Sequence, residues 1–298
     1  MSVKFYINFK KPSHLKSDYD KLTPAGLSFK GTSGSTVILI HGLTGTPHEL
    51  IFLANFLNRK GYSVVCPRLA NHGQPMEILK NTKWQDCYQS ARDAFMAAMP
   101  EGGRIFTSGL SMGALLALLL AEEFPDKVSG VSCLSPTLFY DGWHMPWSRH
   151  LLPLAYYTPL KHFFYFKEDP PYGIKNKVIQ QRVHEYYSKA SLSDIEGVAQ
   201  YGYPYIPLTL LYQLRLLVQY LNKRLKSIKV PVQLIQAKDD DMTSVKNSQV
   251  IYDRIASATK ELVLLDNSYH VITADQERDK VAGEMERFFN QISVLKDA

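Results

Sequence analysis

The chain has few cysteines, and their arrangement indicates neither a metal site nor a disulfide framework. Its 298 residues include 3 Cys, at positions 66, 87 and 133, which are scattered and odd in number. No pair has the Cys-X-X-Cys spacing of a zinc ribbon, and small disulfide-rich proteins carry a denser and even set. We therefore expect reduced thiols, no bound metal and a cytoplasmic protein.

Long uninterrupted hydrophobic runs are also absent. No apolar core of signal-peptide length precedes Lys10. Residues 105–121 are uncharged but contain a Gly-Leu-Ser-Met-Gly turn, and residues 197–214 contain Pro204 and Pro207. A transmembrane helix needs about 20 consecutive apolar residues. We therefore predict no membrane-spanning segment.

The composition is that of a globular chain with one unusual block. Hydrophobic residues make up 45% and charged residues 21%, which excludes a disordered or fibrous protein. Residues 138–228 contain 11 Lys and Arg against 6 Asp and Glu, and 18 of the 35 aromatic residues. Such a block could contact anionic lipid or an acidic substrate, or be a solvated surface with an apolar underside. No basic run or RNA-binding signature is present, so we expect no nucleic-acid partner.

Apolar runs alternate with segments of helical spacing, as in a parallel sheet with crossover helices. The predicted strands are residues 36–40, 62–66, 104–110, 128–134, 230–237 and 261–265; the predicted helices are 48–60, 84–99, 112–124, 244–256 and 273–292. The alternation stops in a Tyr-, Phe- and Pro-rich segment, and a structureless loop of that length is uncommon in a compact domain. We therefore predict an α/β core from residues 1–136 and 229–298, with a mostly helical cap at 137–228.

A candidate nucleophile lies in Gly109-Leu-Ser111-Met-Gly113, which fits the pattern G-x-S-x-G. A predicted strand precedes the motif and a predicted helix follows it, which is the context the pattern requires. There the serine occupies a strained turn, and the flanking glycines allow close backbone packing. The helix that follows would supply unpaired N–H groups at its first turn. A tight structural turn is the alternative interpretation of this motif.

A serine hydroxyl needs a base within hydrogen-bond reach. His270 follows the last predicted strand directly, so it would lie at the carboxyl edge of the sheet, where ligands and catalysis collect in open α/β sheets. An acid that orients this base would come from Asp239, Asp240 or Asp241, which follow the predicted strand 230–237. The spacing alone does not choose among the three.

A loop with the properties of an oxyanion hole follows the first buried strand. It reads His41-Gly-Leu-Thr-Gly45, and its glycines let the backbone turn close to the candidate site. The backbone N–H groups of Leu43 and Met112 are the two expected donors to a developing oxyanion. We expect the side chain of His41 to order this loop by hydrogen bonding.

Together these residues resemble the α/β-hydrolase superfamily, and within it the bacterial carboxylesterases and monoacylglycerol lipases. The resemblance covers residues 36–136 and 229–292. The matching motifs are His41-Gly-Leu-Thr-Gly45, Asn71-His-Gly73, Gly109-Leu-Ser-Met-Gly113, Gln236-Ala-Lys-Asp-Asp-Asp-Met242 and Ser268-Tyr-His-Val-Ile-Thr273.

The resemblance implies an α/β-hydrolase fold and a serine hydrolase that cleaves a small ester or a monoacylglycerol. It selects Asp240 as the acid, three residues after Ala237, with Ser111 as the nucleophile and His270 as the base. No metal or organic cofactor is implied. The loop around His72 is expected to support the site.

The cap departs from the compact carboxylesterases in its size, so no substrate contact can be carried over to it. Its aromatic residues could line an acyl pocket, because they bury large apolar areas, or form the cap's own core. The candidate substrate contacts are Trp143, His144 and Trp147, with Tyr156, Tyr157 and residues 163–166 as further candidates.

Other functions are compatible with the same motifs. A thioesterase or an acyltransferase would use the same triad, and so would a C–C bond hydrolase, although residues 197–214 are apolar for a diketone pocket. A binding protein on a hydrolase scaffold is a different class. Such proteins often lose a triad member, whereas all three candidates are present here.

Overall fold

The computed structural model describes residues 26–99, 102–145, 152–190 and 202–297. Its strands, in chain order, are β1 Gly26–Phe29, β2 Thr36–Ile40, β3 Ser63–Pro67, β4 Ile105–Leu110, β5 Val128–Leu134, β6 Tyr165–Lys167, β7 Tyr205–Pro207, β8 Val232–Ala237 and β9 Lys260–Leu265. Seven of them form one sheet in the order β1-β3-β2-β4-β5-β8-β9. The first pair is antiparallel and every other pair is parallel. This confirms the predicted α/β-hydrolase architecture with a mostly parallel sheet.

Helices cover both faces of this sheet. In chain order they are α1 Ile51–Arg59, α2 Met76–Leu79, α3 Trp84–Ala97, α4 Met112–Glu123, α5 Leu152–Tyr156, α6 Lys177–Tyr187, α7 Leu208–Asn222, α8 Lys246–Arg254 and α9 Arg278–Asp297. Within the described ranges, short 3₁₀ helices occupy Pro47–Leu50, Pro159–His162 and Leu225–Ser227.

The sheet separates two hydrophobic cores. Along β2, Ile38 and Ile40 join the core formed with α3, α4 and α7, while Val37 and Leu39 join the core formed with α1 and α9. Successive side chains of a strand point to opposite faces, so a continuous apolar run is the pattern of a strand buried on both sides. Helix α4 is buried from Met112 to Ala121 because it lies between the sheet and other helices.

Two predicted strands, 36–40 and 128–134, have the predicted bounds. Other elements were missed, namely β1 at the antiparallel edge, the single-turn helix α2, and the antiparallel pair of β6 and β7 inside the segment expected to be mostly helical. The last predicted helix begins at Arg278 rather than residue 273. The reason is Asp275, whose carboxylate accepts backbone N–H groups of other segments and holds its own segment in a loop.

Helix α7 packs against α3 and α4. Its buried leucines, among them Leu214 and Leu217, belong to the same hydrophobic core as α4. Helix α7 thus joins the chain between β5 and β8 to the helices α3 and α4 that cover one face of the sheet. No helix within the described residues is both long enough and apolar enough to span a membrane.

Candidate active site

Ser111 occupies the turn between β4 and α4 with φ 58° and ψ −116°. This left-handed φ is unusual for a residue with a Cβ, and strain of this kind costs about 1–3 kcal/mol. The flanking glycines make the turn possible. A Cβ at Gly113 would overlap the carbonyl oxygen of Ile40, and one at Gly109 would overlap the backbone of Gly113. The sequence motif therefore forms a strained strand-to-helix turn with the serine at its apex.

The Ser111 side chain is buried, with 8% of the residue's surface exposed. Its Oγ lies 2.9 Å from Oγ1 of Thr137, and its backbone N–H donates to the carbonyl oxygen of Leu134 at 2.9 Å. The loop after β2 approaches from the other side, where a Cβ at Gly42 would lie 3.7 Å from the Ser111 Cβ. The hydroxyl is therefore held close to the predicted oxyanion loop.

His270 and Asp240 form a buried hydrogen-bonded pair. Nδ1 of His270 lies 2.9 Å from Oδ2 and 3.2 Å from Oδ1 of Asp240. The Asp240 carboxylate also accepts the backbone N–H groups of Met242 at 2.9 Å and Thr243 at 2.8 Å, and Nε2 of Gln236 at 2.7 Å. A carboxylate held by this many donors has a fixed orientation, so it fixes the imidazole plane as well.

Electrostatics favour the charged form of this imidazole. Burial lowers the pKa of His270, but the negative charge of Asp240, its hydrogen bond and the charge of Asp241 outweigh burial, so the pKa lies above its ordinary value. An imidazole stabilised in this way accepts a proton readily. Within the described residues its ring bonds only to Asp240 and Thr243, and no hydrogen bond joins it to Ser111. The transfer of a proton between Ser111 and His270 stays a prediction.

The two predicted oxyanion donors are available. In the part of the chain that the structure describes, the backbone N–H groups of Leu43 and Met112 have no acceptor. Met112 is the first residue of α4, and the first N–H groups of a helix lack an intrahelical partner. Two free amides beside a buried serine are what a tetrahedral oxyanion requires.

Two buried histidines order the oxyanion loop. Nδ1 of His41 donates to the carbonyl oxygen of Gly42 at 2.9 Å, and its Nε2 accepts the N–H of Leu69 at 3.1 Å. Nε2 of His72 lies 2.8 Å from the carbonyl oxygen of Leu43. Burial lowers the pKa of both imidazoles, that of His41 well below its ordinary value. His41 thus makes the structural contacts expected from the sequence, as a neutral ring.

Glu49 is a buried acid that the sequence analysis missed. Its Oε1 accepts the backbone N–H of Gly42, and a Cβ at Gly45 would overlap its carboxylate. Burial raises the pKa of Glu49 to about 7, against the opposing effects of the Gly42 N–H and of His270. The sequence analysis singled out the preceding motif, residues 41–45, for its glycines and for the Leu43 amide. Nothing in the sequence marks Glu49 as buried.

The structure separates the three aspartates that follow β8. Asp239 is half exposed, and its carboxylate lies 3.5 Å from Nζ of Lys175. Asp240 contacts the His270 ring, whereas the carboxylate of Asp241 is buried and contacts backbone N–H groups. Only Asp240 is therefore placed to orient the imidazole.

The proposed substrate contacts lie beside the acid loop. Trp143 is 57% exposed, its Nε1 donates to the carbonyl oxygen of Asp239 at 3.2 Å, and its ring centroid lies 5.5 Å from that of Tyr269. The backbone N–H of His144 donates to the carbonyl oxygen of Asp241 at 3.0 Å. Trp147 lies outside the described residues. A role of these residues in substrate binding stays a prediction.

The other aromatic residues of this segment divide between interior and surface. Tyr156 is buried, whereas Tyr157, Phe163 and Phe164 are exposed, Phe163 by 75%. The exposed rings therefore belong neither to an enclosed pocket nor to a core of the cap. Among the described residues, no cluster of three or more His, Cys, Asp or Glu is arranged to hold a metal ion.

Comparison with known proteins identifies the family. The model of the serine aminopeptidase S33 family matches residues 31–277. The chain belongs to this family. The match includes the Ser111 turn, the aspartate run after β8 and His270, so the geometry above is that of a serine hydrolase.

Two curated relatives share most of their length with this S33 hydrolase. A thermostable monoacylglycerol lipase of Bacillus sp. (strain H-257) is 28% identical over 255 residues, which are 85% of this chain and 89% of the lipase. A carboxylesterase of Bacillus subtilis (strain 168) is 26% identical over 277 residues, which are 91% of this chain and 98% of the esterase.

Solved structures give the same fold. A structure from work on LipS and LipT, two metagenome-derived lipolytic enzymes, superposes with a TM-score of 0.72 at 26% identity and covers 91% of this chain and 99% of its own. The monoacylglycerol lipase of Paleococcus ferrophilus has a TM-score of 0.69 at 20% identity, with 89% and 97% of the two chains covered. The latter supports the fold alone.

Proposed function

We propose that this protein hydrolyses carboxylic esters through an acyl-enzyme formed on Ser111. The observation that carries the proposal is the buried Asp240–His270 pair at the sheet edge where Ser111 occupies a strained turn. The S33 family match supports a serine hydrolase, and the named lipase and carboxylesterase support ester cleavage in particular.

In the first half-reaction, Oγ of Ser111 bonds to the ester carbonyl carbon while His270 removes the hydroxyl proton. Asp240 stabilises the imidazolium that results. The tetrahedral oxyanion would accept the N–H groups of Leu43 and Met112, and loss of one such donor typically costs roughly 10²–10³ in rate. The C–O bond then breaks, and the alcohol leaves with the proton from His270.

The second half-reaction repeats these steps with water. His270 takes a proton from water, and the hydroxide bonds to the acyl carbon held on Ser111. Collapse of the second tetrahedral intermediate releases the carboxylic acid and returns the proton to Ser111. Every proton is carried by His270, so the mechanism needs only side chains and amides of this chain.

The proposed substrate class is a monoacylglycerol or another small carboxylic ester, in line with the two curated relatives. Residues 137–228 would form the cap over the site, joined to the core through α7. Trp143 and His144 lie next to the acid loop, so we place the substrate's entry beside them, with Trp147 in the same segment.

The experiment is hydrolysis of p-nitrophenyl esters from acetate to palmitate, with the wild type beside Ser111→Ala. Activity that disappears in the variant supports the mechanism, and the chain length of highest kcat/KM distinguishes a carboxylesterase from a lipase. Hydrolysis by Ser111→Ala at the wild-type rate would exclude an acyl-enzyme on Ser111. The matched control is Ser90→Ala, a half-buried serine on α3 whose Oγ donates to the carbonyl oxygen of Asp86.

Competing substrates separate the remaining possibilities. Acyl-CoA tests a thioesterase, added alcohols test an acyltransferase, and aminoacyl p-nitroanilides test the aminopeptidase activity in the family's name. Labelling of Ser111 by a fluorophosphonate requires an activated serine, so wild-type protein that is not labelled would point to a binding protein on this fold.

We also propose that the cap contacts lipid surfaces. Leu154, Tyr157, Phe163 and Phe164 are exposed, and the segment that carries them has more Lys and Arg than Asp and Glu. Exposed apolar side chains among cations suit an anionic lipid surface. Sedimentation with phosphatidylglycerol vesicles should show salt-sensitive binding that Phe163→Ser weakens, and an absence of binding would exclude this contact.

The three cysteines support a cytoplasmic location. Cys66, Cys87 and Cys133 are all free and buried. Reduced thiols are usual in that compartment. Cell fractionation tests the location.

A further inference from the structure

Asp241 joins the backbone of His270 to a distant segment of the chain. Its Oδ1 accepts the N–H of His270 at 3.3 Å, and its Oδ2 accepts the N–H of Gly173 at 3.0 Å. Gly173 lies between β6 and α6, within the proposed cap. The buried carboxylate of Asp241 therefore links the backbone of His270, the proposed base, to the backbone of Gly173 in the proposed cap.

The cap segment around Gly173 fits tightly against the His270 loop. The N–H of Val271 donates to the carbonyl oxygen of Gly173 at 2.8 Å. Gly173 has φ +71°, and a Cβ there would lie 2.8 Å from Cγ2 of Val271 and 3.3 Å from Cβ of His270. A side chain here would be strained by the positive φ and would crowd Val271 and His270, so glycine suits this close contact.

A second aspartate strengthens the same junction. The Asp275 carboxylate accepts the backbone N–H of Tyr269 at 2.8 Å, that of Lys175 at 2.8 Å and that of Asn176 at 2.9 Å. Two carboxylates thus bind the same two segments, and in the His270 loop they accept the neighbouring N–H groups of Tyr269 and His270. Because buried backbone N–H groups need acceptors, the two segments are ordered together.

Asp241 differs from Asp275 in its closeness to the proposed base. Burial, followed by the charge of Asp240, raises the pKa of Asp241 to about 7. The charge of Asp241 in turn helps to raise the pKa of His270. A neutral oxygen could accept the N–H groups of His270 and Gly173 equally well, whereas burial of a charged carboxylate carries a free-energy penalty.

We propose that Asp241 is a positioning residue of the hydrolytic site: it fixes the His270 backbone against the cap segment, and its charge stabilises the imidazolium formed during the reaction. This inference rests on the proposed function of Ser111 and His270. The ionisable residues on the elements packed around this carboxylate include Asp239, Asp240, His144, Lys175, Tyr269, His270 and Asp275.

The test compares Asp241→Asn with Asp239→Asn. Asn keeps the shape but replaces one acceptor oxygen by an N–H₂ group, so it cannot accept both backbone bonds and it removes the charge. Asp239 belongs to the same acidic run, but its side chain is 52% exposed, and within the described residues its ion pair is with Lys175. The measurements are kcat, KM and the fluorophosphonate labelling rate of Ser111 from pH 5 to 9.

For Asp241→Asn we expect kcat to fall about 10- to 100-fold, as for a small displacement of a catalytic group, with KM changed less than about 3-fold. Above about pH 7, where Asp241 is ionised, its charge raises the pKa of His270, so the acid limb of the pH profile should move to lower pH in Asp241→Asn. Loss of the backbone hydrogen bonds alone would lower kcat without moving the acid limb of the pH profile. Asp239→Asn should match the wild type in both respects.

Asp241→Glu covers the case in which Asp241→Asn does not fold. It keeps the charge but displaces the oxygens, so its acid limb should stay in place while kcat falls. The role of Asp241 would be overturned if Asp241→Asn kept the wild-type kcat and the wild-type acid limb. It would also be overturned if Asp241→Glu kept the wild-type kcat. Wild-type protein that neither hydrolyses an ester nor is labelled would instead contradict the proposed function, and the inference with it.

Discussion

The hydroxyl of Ser111 is hydrogen-bonded to the hydroxyl of Thr137, with 2.9 Å between their oxygens. Thr137 in turn lies 3.4 Å from the carbonyl oxygen of Ser135, to which its own O–H donates. Either hydroxyl can donate in the bond between Ser111 and Thr137. When Thr137 donates to the carbonyl oxygen of Ser135, Ser111 is the donor and its proton points toward Thr137. For the proposed attack this bond has to be exchanged for one to His270.

Replacement of Thr137 by valine should therefore raise the reactivity of Ser111. Valine has the same shape without the hydroxyl, and a single hydrogen bond stabilises by about 0.5–1.5 kcal/mol, so the fluorophosphonate labelling rate should rise about 2- to 10-fold. Thr137→Ser keeps the hydroxyl and should label at the wild-type rate. Slower labelling of Thr137→Val would show that Thr137 assists the nucleophile.

Asp240 and Asp239 should differ sharply in their effect on catalysis. Asp240→Asn removes the charge that holds the His270 ring, and an equivalent change in serine proteases lowers kcat about 10⁴-fold. Asp239→Asn should leave kcat within about 2-fold, because an exposed ion pair contributes little. Ester hydrolysis at pH 8 measures both. Similar losses in the two variants would contradict the assignment of Asp240.

Glu49 should make the protein less stable as the pH rises. Its pKa in the folded chain, about 7, exceeds the ordinary value of 4.5, because burial penalises the charged form. The stability this group contributes is complete below about pH 4.5 and is lost as the pH rises through 7. Glu49→Gln lacks this titration. Relative to Glu49→Gln, the wild type should lose up to about 3 kcal/mol of unfolding free energy between pH 4.5 and 8.

Urea unfolding at four pH values between 4.5 and 8 measures this difference. The control is Glu77→Gln, since the Glu77 side chain is 73% exposed. This substitution should change the unfolding free energy by no more than about 1 kcal/mol, because an exposed ion pair contributes little. A difference between the wild type and Glu49→Gln that stays constant over the range would show that burial does not raise the pKa of Glu49 in the folded chain.

Gly113→Ala should destabilise the fold although it lies in a helix. Alanine normally stabilises a helix interior by about 0.5–1 kcal/mol over glycine. At Gly113 its Cβ would overlap the carbonyl oxygen of Ile40, which is backbone and cannot rotate away. The unfolding free energy should fall by roughly 1–3 kcal/mol or more, as for an overpacked core.

Gly283→Ala is the matched control for this prediction. Gly283 lies in α9, and nothing lies within 4 Å of the position its Cβ would take. The same substitution should therefore stabilise the protein by about 0.5–1 kcal/mol. Urea unfolding of the two variants gives the comparison, and equal effects at the two sites would contradict the packing described for the Ser111 turn.

Sequence patterns were sufficient for the elements that are buried on both sides. Thr36–Ile40 and Val128–Leu134 are continuous apolar runs rich in β-branched residues, and both form central strands. The G-x-S-x-G motif predicted the strained turn because its two glycines are required by local packing. Edge elements such as β1 lack such a pattern, since a short edge strand is defined mainly by the neighbour to which it pairs.

Local patterns in the sequence were enough to predict the parallel α/β order of the chain and the candidates Ser111 and His270, because strand periodicity and turn chemistry are local properties. The spacing left three adjacent acids open and the family resemblance selected Asp240, but the contact between Asp240 and His270 depends on the fold, because distant segments bury two of the three acids. The tertiary structure also decided the environments of Glu49 and Asp241. Their burial arises from residues far away in sequence, and burial is what raises their pKa values.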